Sequence, residues 1–305
     1  MRYLLTIILA TLSGLLARLY MLRRDYRQYP SFPQGWAVHL FIGFIAAFLG
    51  AILVPALIEA EFTAVSFLLM AASQFREVRN IERSTLEKLE PTELVARGSA
   101  YIEGIARVFE ARNYLAIWNA FLVSIVAELT RNLQLWLQIT CVAVTGVAVA
   151  GILNYLMRGP SIGDIAEIKS TSIEFDGPIL KVGGVAVMNV GLPSIREFYL
   201  KHAVAAEILP KDVSAKATLG NIGQMQAIAH DAAAMVGVHM DVGEQEFTPL
   251  VRREPQSGKL VVVMIPSEDN QEAFLEAISN VPVLESAVRK PLRSVAGRMM
   301  DRNGS

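Results

Sequence analysis

The hydrophobic positions of this chain form long continuous runs in its first half and short, mixed patterns in its second half. Two runs are long enough to cross roughly 30 Å of hydrocarbon as helices at about 1.5 Å per residue, and they extend from Trp36 to Ile58 and from Leu133 to Met157. Weaker runs extend from Tyr3 to Leu22, from Phe62 to Phe75 and from Tyr114 to Leu129. The pattern therefore predicts an α-helical membrane protein with about five spans.

The charges around the first run are those of a retained helix. A signal peptide carries its basic residues before the apolar core. Here Arg18 interrupts the run, and a basic cluster between Arg23 and Arg27 follows it. We therefore expect an uncleaved first helix. The run from Phe62 to Phe75 is the shortest of the five, and its sequence leaves two alternatives open: a short span or a helix that stays at the interface.

The basic residues predict the orientation. Cytoplasmic loops are enriched in Lys and Arg. With five spans, eleven basic residues flank the spans on one side, and only Arg2 and Arg131 on the other. The N-terminus is therefore expected outside the cell, and the segment from Arg158 to Ser305 in the cytoplasm. The eleven are Arg18, Arg23, Arg24, Arg27, Arg76, Arg79, Arg83, Lys88, Arg97, Arg107 and Arg112.

These spans predict four regions. Residues 1–75 hold about three spans, residues 76–112 form a cytoplasmic loop, residues 113–157 hold two spans, and residues 158–305 form a cytoplasmic domain with a basic tail. At the last boundary the composition changes from continuous apolar runs to mixed segments separated by Gly and Pro.

The final region has the pattern of an α+β domain. Its order of strand, helix, strand, strand, helix, strand, with one extra helix inserted, is the split βαβ, ferredoxin-like arrangement. That fold assigns no function by itself. The predicted strands are Gly184–Val190, Phe247–Arg253, Lys259–Ile265 and Val281–Val288, and the predicted helices are Pro193–Leu209, Asn221–Val236 and Ser267–Ser279.

Composition excludes several classes of function. The 28 Lys and Arg residues are balanced by 29 Asp and Glu residues, so no basic field for a nucleic acid is expected. The chain has 1 cysteine, Cys141, which rules out an internal disulfide and a zinc site of cysteine type. Sequence motifs of zinc proteases, serine hydrolases and nucleotide-binding proteins are absent. We predict no cofactor and no metal.

A few titratable residues remain as candidates for chemistry. Asp164, Asp176 and Glu103 would be the carboxylates of a membrane-bound protease, although Asp176 beside Gly-Pro also fits a simple turn. His39 lies inside the predicted span from Trp36 to Ile58, where ionisable residues usually have a function or face the bundle interior.

Two His-Asp pairs make a metal site conceivable. They are His230 with Asp231, on a predicted helix, and His239 with Asp241 a short way on. Separate surface or turn residues are the preferred interpretation.

One carboxylate interrupts the apolar hexapeptide YIEGIA, Tyr101 to Ala106. On a helix from Ser99 to Arg112, the residues Glu103, Arg107 and Glu110 line one face, and an apolar stripe lines another. One interpretation is a solvated, salt-bridged face above a stripe resting on the membrane. The other is a docking surface for a cytoplasmic partner or for the C-terminal domain, with Glu103 as an anchor.

The hexapeptide, together with MLRRDYRQYP at Met21 to Pro30 and the layout of spans before a cytoplasmic domain, resembles the YIEGIA family of integral membrane proteins from endospore-forming Firmicutes. The resemblance covers the whole chain. It implies a cell-membrane protein that works with a small soluble capping-complex subunit, and it assigns no catalytic role. The residues that carry the signature are Tyr101, Ile102, Glu103, Gly104, Ile105 and Ala106.

Two hypotheses follow. The first is a membrane-anchored scaffold, associated with sporulation by resemblance, whose cytoplasmic platform docks the capping subunit through the signature residues together with Arg107 and Glu110. The alternative is a membrane-bound protease that this partner restrains. A transporter is disfavoured because charged residues are scarce inside the spans. The predicted partners are the lipid bilayer and the small subunit, with homo-oligomers possible.

Overall fold

The computed structural model describes residues 2–25, 33–241, 244–245, 249–268 and 270–304. The chain forms two compact units. The first, here called the helical unit, consists of Met1–Thr85 and Ile105–Arg158; the second, here called the mixed unit, consists of Leu86–Gly104 and Gly159–Ser305.

The first half of the chain is helical, as predicted. Among the described residues, three helices are long and apolar enough to cross a membrane, over Leu4–Leu22, Gly35–Ile58 and Leu135–Leu156. The run that begins at Phe62 forms a helix of only 12 residues, which is shorter than a bilayer requires. The helices are α1 (Leu4–Asp25), α2 (Pro33–Ile58), α3 (Phe62–Ser73), α4 (Phe75–Leu89), α5 (Ser99–Leu129) and α6 (Leu135–Leu156).

Small residues allow the helices of the helical unit to approach closely. Its central cluster consists mainly of fully buried alanines, including Ala47, Ala51 and Ala120. At Gly50, an added Cβ would lie 2.2 Å from the carbonyl oxygen of Ile117, so the backbones of α2 and α5 are nearly in contact. Membrane helices associate through such small-residue interfaces because the hydrophobic effect does not favour association within lipid, so close van der Waals packing must stabilise the contact.

Substituting Gly50 by alanine is expected to destabilise the helical unit by about 1–3 kcal/mol, because the new methyl group must push one backbone away from another. The matched control is Gly151→Ala on α6, where an added Cβ meets nothing within 4 Å. Thermal unfolding in detergent measures both. Equal midpoints for the two variants would contradict the close contact.

Polar side chains on α5 face the interior of the helical unit. Asn119 accepts a hydrogen bond from Ser13 Oγ at 2.9 Å and donates to the Gly146 carbonyl at 3.0 Å. Ser124 Oγ donates to the Ala51 carbonyl at 2.9 Å. The polar residues that lower the hydropathy of the run from Tyr114 to Leu129 therefore form hydrogen bonds to neighbouring helices.

The mixed unit contains a four-stranded antiparallel sheet, a three-stranded antiparallel sheet and a two-stranded ribbon. In the four-stranded sheet the order is β1-β5-β9-β8, and the three-stranded sheet joins β2, β3 and β4. The strands are β1 (Ala166–Ser170), β2 (Ile173–Asp176), β3 (Ile179–Val182), β4 (Val185–Asn189), β5 (Val204–Pro210), β6 (Met240–Asp241), β7 (Glu244–Gln245), β8 (Leu250–Arg253) and β9 (Leu260–Met264). The helices are α7 (Ile162–Ile165), α8 (Pro193–His202), α9 (Val213–Leu219), α10 (Ile222–Val236), α11 (Gln271–Ser279) and α12 (Val295–Gly304).

Strand β9 is at the centre of this unit. All five of its residues are buried, which requires cover on both faces of the sheet. On one face, Val261 and Val263 share a cluster with Leu180 and Val182 of the small sheet. Helix α11 contacts the neighbouring strand β5.

The split βαβ order occurs here in altered form. Strands β5 and β8 are parallel to each other with β9 antiparallel between them, and the helices α9 and α10 connect β5 to β8. The position next to β5 is taken by β1, which precedes β5 in the chain, and not by a strand that follows α11.

Two predicted elements of this domain were wrong, and a third has the predicted type but another place in the fold. The segment Gly184–Val190 contains the predicted strand, β4, which belongs to the small sheet. The helix predicted over Pro193–Leu209 ends at His202, and the following residues form β5, since an apolar run buried between two strands gains more from pairing than from helical turns. The predicted strand Val281–Val288 forms only an isolated bridge at Pro282.

Candidate functional site

Helix α10 presents three polar side chains to the segment that begins the YIEGIA motif. Its N-cap, Asn221, accepts a hydrogen bond from the Gln224 amide at 3.2 Å, and Gly237 ends it with a φ of 70°. Gln226 and His230 are four residues apart and therefore share a face, and Asp231 follows directly. We call these three residues and their contacts with residues 95–101 the linker clamp.

The phenol of Tyr101 is the first contact of the clamp. Its hydroxyl lies 3.0 and 2.9 Å from the two carboxylate oxygens of Asp231, 130 residues along the chain. Only 3% of Tyr101 is exposed. Its ring meets the imidazole of His230 edge to face, with centroids 6.1 Å apart. A buried phenol of this kind needs a partner for its hydroxyl, and Asp231 supplies it.

Hydrogen bonds from α10 side chains to backbone carbonyl groups form the second set of contacts in the clamp. His230 Nδ1 donates to the Val95 carbonyl at 2.6 Å, and the Gln226 side-chain amide donates to the Ala96 carbonyl. Gly98 follows with a φ of +81°, in the left-handed region that favours glycine, and its amide donates to Glu90 Oε1 at 2.6 Å. The turn leading into α5 is thus held from both sides.

The start of α10 also holds the segment after α11. The Gln224 side chain donates to the Pro282 carbonyl at 3.1 Å and accepts from the Leu284 amide at 2.8 Å. An added Cβ at Gly223 would lie 2.6 Å from Ala100. Residues 86–104 are therefore an integral part of the mixed unit.

Burial controls the electrostatics of the clamp. It raises the pKa of the Asp231 carboxyl, against the opposing effects of the Tyr101 hydrogen bond and of the charges on His230 and Arg97. Burial and then the charge of Asp231 raise the pKa of the Tyr101 phenol. Tyr101 is therefore a neutral donor throughout the physiological range.

The raised pKa of Asp231 predicts a pH dependence. Because the folded protein binds this proton more tightly than the unfolded chain, the free energy of unfolding should rise as the pH falls from the raised pKa toward about 3.9, the usual aspartate value. Asp231→Asn should remove that part of the pH dependence, and Glu197→Gln, at an exposed position, should not. Denaturation of the full-length protein in detergent at a series of pH values measures it. An unchanged slope in Asp231→Asn would contradict the assignment.

The predicted partner-binding residues are distributed between interior and surface. Ile102, Ile105 and Ala106 are buried like Tyr101. Glu103 and Gly104 are half-buried, and Arg107 is exposed. The carboxylate of Glu110 lies 3.3 Å from Arg79 in the helical unit. Docking of an external partner on these residues stays a prediction.

The other predicted carboxylates make local contacts. Asp164 accepts from the Ser161 amide at 2.7 Å at the start of α7. Asp176 lies 2.6 Å from Lys181 Nζ in the β2-β3 hairpin, and this ammonium group lowers its pKa. Each carboxylate therefore has a structural contact of its own.

The histidines pack against aromatic rings. His39 stacks on Phe109 with ring centroids 4.9 Å apart, and His239 lies 5.3 Å from Phe198. Within the described ranges, no group of three His, Cys, Asp or Glu residues could hold a metal ion. The side chain of Asp241 lies outside the described residues.

The clamp itself is what sequence reasoning missed. Gln226, His230 and Asp231 are three of the four polar side chains, with Gln224, of an otherwise apolar, alanine-rich helix. That signal was visible, but the pattern gave no indication of the partner segment so far away in the chain.

Comparison with known proteins supports the family that the hexapeptide indicated. A family described as "YIEGIA protein" matches residues 6–294. The chain is 43% identical over 289 residues, covering 95% of each chain, to a protein of Bacillus subtilis (strain 168) named "Uncharacterized protein YphB". No solved structure matches the chain. With most of its length matched by the family and by this relative, the chain belongs to the YIEGIA protein family.

Proposed function

We propose that this protein is a multi-pass scaffold of the cell membrane whose mixed unit is a cytoplasmic platform for a small soluble partner, the capping-complex subunit of a sporulating cell. The hydrogen bond from Tyr101 to Asp231 carries the proposal. It joins the family's signature to the C-terminal domain, so that one folded surface is displayed by the membrane helices.

The connectivity supports a paired crossing by α5 and α6. Residues 86–104 and 159–305 fold together, so both lie on one side of a membrane. The chain between them must then cross an even number of times. Since α6 is long and apolar enough to cross, α5 crosses with it as a hairpin.

Contacts at one end of the helical unit support an odd number of crossings before residue 86. Arg2 lies 3.4 Å from Glu59, and Thr6 donates to Glu128 at 3.1 Å. The N-terminus, the end of α2 and the end of α5 therefore share one end of the unit. Arg79 of α4 pairs with Glu110 toward the opposite end of α5.

These contacts favour five crossings, with α3 and the start of α4 together forming the third. The N-terminus and the platform then lie on opposite sides of the membrane. Because most of the basic residues flank the spans on the platform side, the platform is assigned to the cytoplasm.

Glu103 is the anchor that we assign to the partner interaction. The neighbouring signature residues Tyr101 and Ile102 are buried, whereas Glu103 keeps part of its surface. Carboxylates at partly exposed positions give specificity through charge complementarity. The partner is therefore expected to present a basic group to this position.

The test is Glu103→Gln in the native cell, with the exposed Glu197→Gln as the matched control. The tagged protein is purified from sporulating cells, its co-purifying proteins are identified by mass spectrometry, and the cytoplasmic proteome is compared with wild type. Loss of one small soluble protein in Glu103→Gln alone, with an unchanged proteome, is the expected result. Retention of every partner contradicts the anchor, and newly stabilised proteins would favour the protease alternative.

A further inference from the structure

The end of the chain forms a small surface that combines apolar and basic side chains. A turn of 3-10 helix, Pro291–Arg293, leads into α12 (Val295–Gly304). On α12, Val295 and Met299 are four residues apart and therefore share a face, and Leu292 is exposed in the turn that precedes this helix. Val295 is 60% exposed and Met299 61% exposed. We call residues 289–299 the tail surface.

Basic residues surround this face. Arg289, Lys290, Arg293 and Arg298 are all exposed, and no acidic residue occurs between positions 289 and 299. Arg289 and Arg298 donate to nearby backbone carbonyls, which holds them beside the apolar residues. The side chain of Asp301 lies outside the described residues.

We propose that the tail surface binds the surface of an anionic lipid bilayer. An amphipathic helix with basic flanks binds an interface through its apolar face and through attraction to anionic headgroups. The helices of the same chain that are long and apolar enough to span a membrane would keep the tail close to lipid, which raises its effective concentration there. A tail of this size needs that tether because it has few apolar residues.

Lipid explains the tail surface better than a protein groove does. Its charge is of one sign over eleven residues, which matches a surface of uniformly negative headgroups. The proposal is independent of the capping partner and of Glu103. Its failure would leave the platform hypothesis untouched, and the reverse also holds.

The experiment uses the full-length protein with one fluorophore. Cys141 is replaced by alanine, Met299→Cys is labelled with the environment-sensitive dye NBD, and the protein is reconstituted in phosphatidylcholine vesicles with or without phosphatidylglycerol. Because both leaflets have the same composition and iodide is present inside and outside the vesicles, the orientation of insertion does not affect the result. Emission wavelength and quenching by iodide report the burial of the dye.

In vesicles with phosphatidylglycerol we expect blue-shifted emission and at least about twofold weaker iodide quenching than in neutral vesicles, with the difference lost at high salt. Lys290→Gln with Arg293→Gln should remove the difference. The matched control, Lys169→Gln with Lys201→Gln, removes two exposed positive charges elsewhere on the mixed unit and should leave the difference intact.

Three results would overturn the proposal. Equal exposure of the dye in both lipids would mean a solvated tail. Equal burial of the dye in both lipids would mean that the apolar face packs on protein independently of lipid charge. Burial that depends on the protein-to-lipid ratio would assign the tail surface to a second copy of the chain.

Discussion

Replacing Glu82 by leucine is expected to lower the free energy of unfolding of the helical unit by about 3–5 kcal/mol, the cost of leaving a buried positive charge without the opposite charge near it. Arg18 on α1 is 1% exposed, and Glu82 on α4 is also buried. The carboxylate of Glu82 acts electrostatically on the Arg18 guanidinium. The stem of Arg18 packs so closely on α2 that an added Cβ at Gly43 would lie 2.5 Å from it. The guanidinium therefore cannot move to water without disturbing the helices.

Two variants separate the electrostatic interaction of Arg18 with Glu82 from general effects of the substitution. Arg18→Leu combined with Glu82→Leu should recover much of the loss, because neither charge is then buried without the other. Glu77→Leu changes an exposed carboxylate on the same helix and should have a small effect. Thermal unfolding in detergent measures all three. A double variant as unstable as Glu82→Leu alone would contradict a stabilising electrostatic interaction between these two side chains.

Replacing Tyr101 by alanine is expected to destabilise the mixed unit by about 3–5 kcal/mol, the usual cost of truncating a buried aromatic side chain. The ring is buried, and its hydroxyl is the donor to Asp231. Residues 86–100 should then detach from α10, since two of their remaining side-chain contacts, at Val95 and Ala96, depend on this register. Limited proteolysis of the full-length protein should show new cleavage in that segment.

The conservative variant separates the hydroxyl from the ring. Tyr101→Phe keeps the ring and leaves Asp231 without this donor, which should cost about 1–3 kcal/mol and extend the pH dependence of stability upward, because the hydrogen bond lowers the pKa of Asp231. Tyr155→Ala, at a position 78% exposed on α6, is the matched control. Cleavage of residues 86–104 in Tyr155→Ala as well would rule out a specific role for the clamp.

Helix α5 belongs to both units, so it determines whether a change in one unit affects the stability of the other. It begins at Ser99 in the mixed unit and continues through residues 105–129 of the helical unit. The clamp holds its first turns, and Asn119 and Ser124 anchor its later turns. If Tyr101→Ala releases the start of α5 while the helical unit keeps its unfolding midpoint, the two units are independent in stability. A shift of both midpoints would show that α5 couples them.

The sequence alone determined the features that depend on local composition. The long apolar runs predicted the membrane helices, because the cost of crossing a bilayer is a sum over neighbouring residues. The change in composition near Gly159, from apolar runs to segments separated by Gly and Pro, predicted a mixed domain because it too can be read from neighbouring residues. The hexapeptide predicted the family, which the match over residues 6–294 confirms.

The tertiary structure decided the features in which distant segments compete for the same place. The apolar residues 204–209 fit a helix by spacing, but they pair with β1 and β9 and form the second strand of the main sheet. The position predicted for the last strand was taken by β1, a segment more than a hundred residues earlier.

The linker clamp is the clearest example of a feature that local sequence does not predict. Tyr101 and Asp231 are each unremarkable within their own helices, and 130 residues separate them. Which buried phenol meets which buried carboxylate depends on packing and on the need to satisfy polar groups away from water. Local sequence determined the helices and their caps, and the tertiary structure determined what they hold, because hydrogen bonds between distant segments leave no periodic pattern in the chain.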